Sequence, residues 1–143
     1  MFISKFQDLP LIVNKEPRSV IVKTLVTKKD PQTTFEFFKS IKNWESGGAL
    51  KNIQKGKDEW WSVDSPFGEA KIRLRSDSKF GILDHDFIGA GSWTVYCRIT
   101  QNESGSTVSW LFIRPETFTH EQFEEQLKNF DNEILGWKKA LES

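Results

Sequence analysis

Residues 118–141, FTHEQFEEQLKNFDNEILGWKKAL, decide the fold. Phe123, Leu127, Phe130, Ile134, Trp137 and Leu141 recur at spacings of 4, 3, 4, 3 and 4. That is a single apolar stripe on an amphipathic helix. Thr119 and Gln122 make a capping box at its start, and Phe118 before the cap can staple onto Phe123. The spacing predicts one long helix over 119–141 with Leu127, Phe130 and Ile134 buried. Gly136 costs about 1 kcal/mol there relative to alanine, so a close neighbour is expected at that point.

A one-striped helix needs an apolar surface to cover, and the middle of the chain supplies one. Residues 19–27 (SVIVKTLVT) are rich in β-branched types and read as a strand. Asp30-Pro31 then caps and starts a helix, and a short helix pair is expected over about 31–46. Six further strands are expected at about 50–55, 59–64, 69–76, 79–88, 92–101 and 107–114, separated by turn signals. Antiparallel strands closed by one long helix are an α+β arrangement. With so many strands the sheet must curl, and a cavity can remain between sheet and helix.

The turns set a register. Pro66-Phe67 pairs Val63 with Ala70 and Trp61 with Ile72. A two-residue Asp77-Ser78 loop pairs Leu74 with Gly81, Ile72 with Leu83 and Ala70 with His85. A turn centred on Ala90 pairs Phe87 with Trp93 and His85 with Val95. Together they gather Trp61, Val63, Ala70, Ile72, Leu74, Leu83, His85, Phe87, Trp93, Val95, Cys97 and Ile99 on one face. Lys71, Arg73, Arg75, Asp84, Asp86, Thr94, Tyr96 and Arg98 fall on the other. One face is apolar and the other wet. A one-residue slip would mix them, so the agreement supports the register. A Ser104-Gly105 loop would add Trp110, Phe112 and Arg114 to the apolar face, with Arg114 opposite Val95. A shifted loop would replace them with Leu111 and Ile113.

The stretch 80–87, FGILDHDF, therefore holds the polar exception. Strand residues alternate, so Asp84 and Asp86 point one way and His85 the other. The three cannot ligate one metal. His85 is either a core histidine bonded to backbone or a polar group in a cavity. A nucleophilic pair of Cys97 and His85 requires a third group to orient the imidazole, and none is evident. An inert buried cysteine is the commoner case. His120, in the first turn of the last helix, is expected to be exposed.

Composition bounds the rest. The chain has 143 residues, with 12 Phe and 6 Trp against 1 Tyr, a supply of rings for a core or for a cavity wall. Twenty basic and twenty acidic residues cancel, which argues against a nucleic-acid partner. One Cys and two His leave no disulfide framework, argue against structural zinc and imply no metal. No cofactor is expected. Residues 1–18 read as an N-terminal extension to a domain over 19–143. Lys5, Asp8 and Pro10 interrupt its apolar residues, so neither a signal peptide nor a membrane span is expected. A cytoplasmic location is the default.

Three segments carry a family resemblance. DPQTTFEFFKSIKNWESG (30–47) is similar to the helix pair that follows the first strand in the START-related superfamily. FGILDH (80–85) and LFIRPETFTHEQFE (111–124) resemble a subgroup with FGxLDH and LFRxPG patterns. This chain carries Glu116 where that subgroup often has glycine, and an extra residue, Ile113, before Arg114. The superfamily includes polyketide cyclases and birch-pollen-allergen-like proteins. The resemblance implies a helix-grip fold, a curved sheet wrapped around the C-terminal helix. The superfamily spans enzymes, lipid carriers, receptors and chaperone regulators, so fold alone does not assign activity.

Three functions remain open. The first is binding of a small hydrophobic molecule, acyl, lipid-like or aromatic, between sheet and helix. His85 and Arg114 would meet its polar end, and Trp61, Trp93, Trp110, Phe87, Phe112 and Phe130 its apolar body. The second is a cyclase- or dehydratase-like enzyme with His85 as general acid or base. The third is a protein-interaction module with a filled core.

Overall fold

The computed structural model describes residues 16–89 and 91–143. Most of the N-terminal extension and Ala90, the centre of one anticipated turn, lie outside the described residues. The order is β1 (Val20–Thr27), α1 (Pro31–Lys39), a 3-10 helix (Ile41–Gly47), β2 (Lys51–Lys55), β3 (Trp60–Ser65), β4 (Gly68–Asp77), β5 (Ile82–Gly89), β6 (Gly91–Asn102), β7 (Gly105–Ile113), α2 (His120–Leu127) and α3 (Phe130–Glu142). The strands form one antiparallel, curved sheet in the order β1-β7-β6-β5-β4-β3-β2. The helix pair thus carries the chain from one edge, β1, to the other, β2. Asp30 caps α1 by accepting from the Thr33 N–H at 2.8 Å, with Pro31 at the first helical position.

The face assignment holds, with the β4–β5 register moved by four residues and the β6–β7 register by two. Val63 pairs with Ala70, Trp61 with Ile72, Phe87 with Trp93 and His85 with Val95, as the turns imply. Between β4 and β5 the loop takes four residues, Ser78 to Gly81, not two. Leu74 therefore faces His85, and Ile72 faces Phe87. Gly81 adopts φ +66, and a Cβ there would sit 2.5 Å from the Ile99 carbonyl oxygen. Between β6 and β7 the loop is Glu103-Ser104, with Glu103 at φ +52. Val95 then pairs with Phe112 and Cys97 with Trp110, which leaves Arg114 beyond the end of β7.

Asp84 and Asp86 do point outward. Asp86 pairs with Arg73 at 2.9 Å and Arg75 at 3.0 Å, and Asp84 pairs with Arg98. Lys71 and Arg75 are exposed, whereas Arg73 is half-buried because its guanidinium lies 4.7 Å over the Trp60 ring. Leu74 is also only half-buried.

The C-terminal helix is interrupted at Lys128-Asn129, where both residues keep right-handed helical dihedrals, so the axis continues from α2 into α3. The Thr119 hydroxyl accepts from the Gln122 N–H at 3.1 Å, and Gln122 accepts from the Thr119 N–H at 2.8 Å. Phe123, Leu127, Trp137 and Leu141 are buried. Phe130 and Ile134, expected buried, are half-buried: both pack against the core, and Phe130 also faces a cavity between sheet and helix. Gly136 has the close neighbour its position demands, since a Cβ there would meet the Ser46 carbonyl oxygen at 2.4 Å. Among the described residues no helix is long and apolar enough to cross a membrane.

Candidate ligand-binding site

Curvature of the sheet leaves a cavity of about 150 Å³ between its concave face and the C-terminal helix. Ile72, His85, Phe87, Trp93, Val95, Trp110 and Phe112 form the sheet wall. Phe38 and Trp44 close it from the helix pair, and Leu127, Phe130 and Trp137 from the C-terminal helix. Ser65, Pro66 and Phe67, the β3–β4 turn, stand with Ala49 and Leu50 at one end. The wall is rich in aromatic rings because inward positions of three adjacent strands, β5, β6 and β7, bear them, and Trp93, Phe112, Trp110, Phe130 and Trp137 pack edge-on or tilted at 5.0–6.2 Å.

His85 is buried, and its Nδ1 lies 3.0 Å from the Leu83 carbonyl oxygen. A carbonyl only accepts, so Nδ1 carries the proton. The ring rests 4.8 Å from that of Trp44, tilted by 58°. Burial lowers the imidazole pKa from its ordinary value, outweighing the Leu83 bond and the charges of Asp84 and Asp86. It is held neutral.

Glu133, on α3, is the second ionisable side chain on the wall, and sequence reasoning missed it. Burial pushes its carboxyl up to about 8. A legible signal existed: Gln126, Asn129, Glu133 and Trp137 lie three, four and four residues apart, and all four line the cavity. Gln126, Asn129 and Glu133 form a polar row that runs into the apolar stripe at Trp137, and such a row reads as a solvated flank until the cavity is known. Trp44, likewise unassigned from sequence, comes from the 3-10 helix, whose contacts are set by the long-range fold.

Of the residues named from sequence, His85, Trp93, Trp110, Phe87, Phe112 and Phe130 come together around the cavity. Arg114 does not: its guanidinium donates to the Phe118 carbonyl and ties down the turn into α2. Trp61 packs against the core on β3, but the wall ends at its β4 partner Ile72. Cys97 is buried, its thiol pushed up by burial, and no hydrogen bond joins it to His85, whose Nδ1 is already occupied. His120 is exposed and pairs with Glu124 at 2.7 Å.

No protein-family model matches the chain, and no curated protein matches it by sequence. Solved structures do. An uncharacterised protein from Bacillus thuringiensis aligns with a TM-score of 0.70 at 9% identity, over 87% of this chain and 100% of that one. The Zhui aromatase/cyclase from a Streptomyces species aligns with a TM-score of 0.70 at 8% identity, over 87% and 93%. Ara h 8.0201 aligns with a TM-score of 0.65 at 9% identity, over 86% and 97%. With its curved antiparallel sheet, seven strands among the described residues, closed by the C-terminal helix, the chain has a helix-grip fold like these structures.

Proposed function

We propose that this protein binds a small, mainly apolar molecule in the cavity between sheet and C-terminal helix. The observation that carries this reading is an aromatic-walled space of about 150 Å³ into which, among the described residues, only two ionisable side chains, His85 and Glu133, are set. Mainly apolar walls with a few polar groups are the usual make-up of a small-molecule site. The space weighs against an interaction module with a filled core. The aromatase/cyclase neighbour and the presence of Glu133 as well as His85 on the cavity wall keep a second reading in view, a cyclase- or dehydratase-like enzyme with the two as acid and base. Mass spectrometry of small molecules released from the purified, denatured protein tests binding. A retained compound whose re-addition shifts the NMR signals of His85 and of the Trp44 and Trp137 indoles is the expected result. Absence of any retained compound, together with no shift of those signals by a library of one-ring fragments, would sink the proposal. Loss of turnover but not of binding in His85→Gln would favour the enzyme.

A further inference from the structure

The polar end of the ligand can be read from His85, granted that the cavity is a ligand site. The ring's Nδ1–H is committed to the Leu83 carbonyl. A neutral imidazole with its proton on Nδ1 has a bare lone pair on Nε2 and can only accept there. Nε2 makes no hydrogen bond among the described residues, and no buried side-chain polar atom among them is both sealed from accessible space and unpartnered. The space that His85 lines is the cavity. The site therefore offers a fixed acceptor, its plane held by Trp44 at 4.8 Å.

Charge narrows the ligand further. Among the described residues no lysine or arginine stands on the cavity wall, so a carboxylate or phosphate entering it would leave water without a countercharge from them. Glu133, the other ionisable group, is also disposed to be uncharged near neutrality, because burial disfavours its anion. Size narrows it as well. An apolar cavity of about 150 Å³ holds one benzene ring, and the space here is also about 150 Å³.

We infer that the ligand is a neutral, one-ring molecule bearing a hydroxyl donor of the phenol type, its ring among Trp93, Trp110 and Phe130 and its O–H directed at Nε2 of His85. The donor is what the site selects. A methyl ether of the same shape cannot supply it, and a buried lone pair left without a donor costs binding.

The test uses the full chain at about pH 7 and four probes: toluene, 4-methylanisole, 4-methylphenol and 4-methylbenzoate. Dissociation constants come from NMR titration of the cavity indole signals. 4-Methylphenol is expected to bind about ten-fold tighter than toluene or 4-methylanisole, one hydrogen bond's worth. It should also perturb the Nε2 nitrogen signal of His85 while Nδ1 keeps its proton. In His85→Leu the preference is expected to disappear. The wild-type ratios stand even where that variant does not fold. Equal binding of toluene and 4-methylphenol overturns the donor assignment and leaves the cavity reading intact. Tighter binding of 4-methylbenzoate overturns the neutral class. Failure of all four to bind overturns the inference and the ligand-binding reading together.

Discussion

The indole Nε1–H of Trp137 donates to the Trp44 carbonyl at 3.0 Å, joining α3 to the 3-10 helix across 93 residues of chain. Trp44 in turn donates its own Nε1–H to the Phe38 carbonyl at 2.8 Å and packs, tilted, against His85. The C-terminal helix, the helix pair and the site histidine are thus one connected unit. Trp137→Phe keeps an aromatic ring but leaves a buried carbonyl without its donor. A loss of about 1–3 kcal/mol is expected, read as a lower urea midpoint at unchanged slope. An unchanged midpoint would count against the bond.

Gly136 sits one residue before Trp137 and lets this approach happen. Helix propensity alone favours Gly136→Ala by about 1 kcal/mol. The new Cβ, however, would fall 2.4 Å from the Ser46 carbonyl oxygen and 3.1 Å from the Gly47 Cα, both backbone atoms. Packing should win, because overfilling a tight contact typically costs about 1–3 kcal/mol. A fall in Tm is expected. A rise would show that propensity governs and that the helices can separate freely.

Leu127→Ala is the corresponding test of the other half of the helix. Leu127 is buried from the last turn of α2 and also lines the cavity. A loss of about 2–5 kcal/mol is expected, with the low end applying if the neighbouring cavity lets the site relax. Near-zero change in unfolding free energy would contradict the packing of α2 on the sheet.

Much of this arrangement is legible from sequence because strand side chains repeat every two residues. Two hairpin loops differ in length or place from the reading of their turn residues, yet the shifts, by four and by two, are both even, so every inward residue stays inward. His85 keeps its face although its β4 partner is Leu74 and not Ala70. What parity cannot fix is position along the strand, and there the reading fails: Arg114 overshoots the end of β7 and serves the next turn. Glu133 escapes notice for a different reason. A charged residue on the flank of an amphipathic helix reads as solvent-facing, and only the curvature of the sheet, a property of the assembled strands, turns that flank toward the cavity. The helix interruption at Lys128-Asn129 is equally silent, since neither proline nor glycine marks it.

Asp84 offers a control on the opposite face. Its Oδ1 accepts from the Cys97 N–H at 3.0 Å as well as from Arg98, and so bridges β5 and β6. Asp84→Ala is expected to cost about 1–3 kcal/mol by leaving that N–H unsatisfied. Binding of cavity probes should be unaffected, because Asp84 points away from the wall. A changed probe affinity at unchanged stability would mean that the outer face communicates with the site.

The two ionisable groups on the wall should shape stability in opposite directions. Burial lowers the His85 pKa below its ordinary 6.5. Below about pH 6.5 the unfolded imidazole takes up a proton that the folded one resists, so this contribution to stability falls as pH falls. Glu133 behaves the other way. Its folded carboxyl titrates at about 8 against an ordinary 4.5. Between those values the folded state keeps a proton that the unfolded chain has released, so stability falls as pH rises through that window and levels off above it. Glu133→Gln removes the group that must ionise at a buried position. The variant should match the wild type near pH 4.5 and gain on it steadily up to about pH 8, as measured by urea midpoints across the series. A difference between the two proteins that stays constant over that range would show that Glu133 titrates as an exposed carboxyl, and would remove it from the cavity wall.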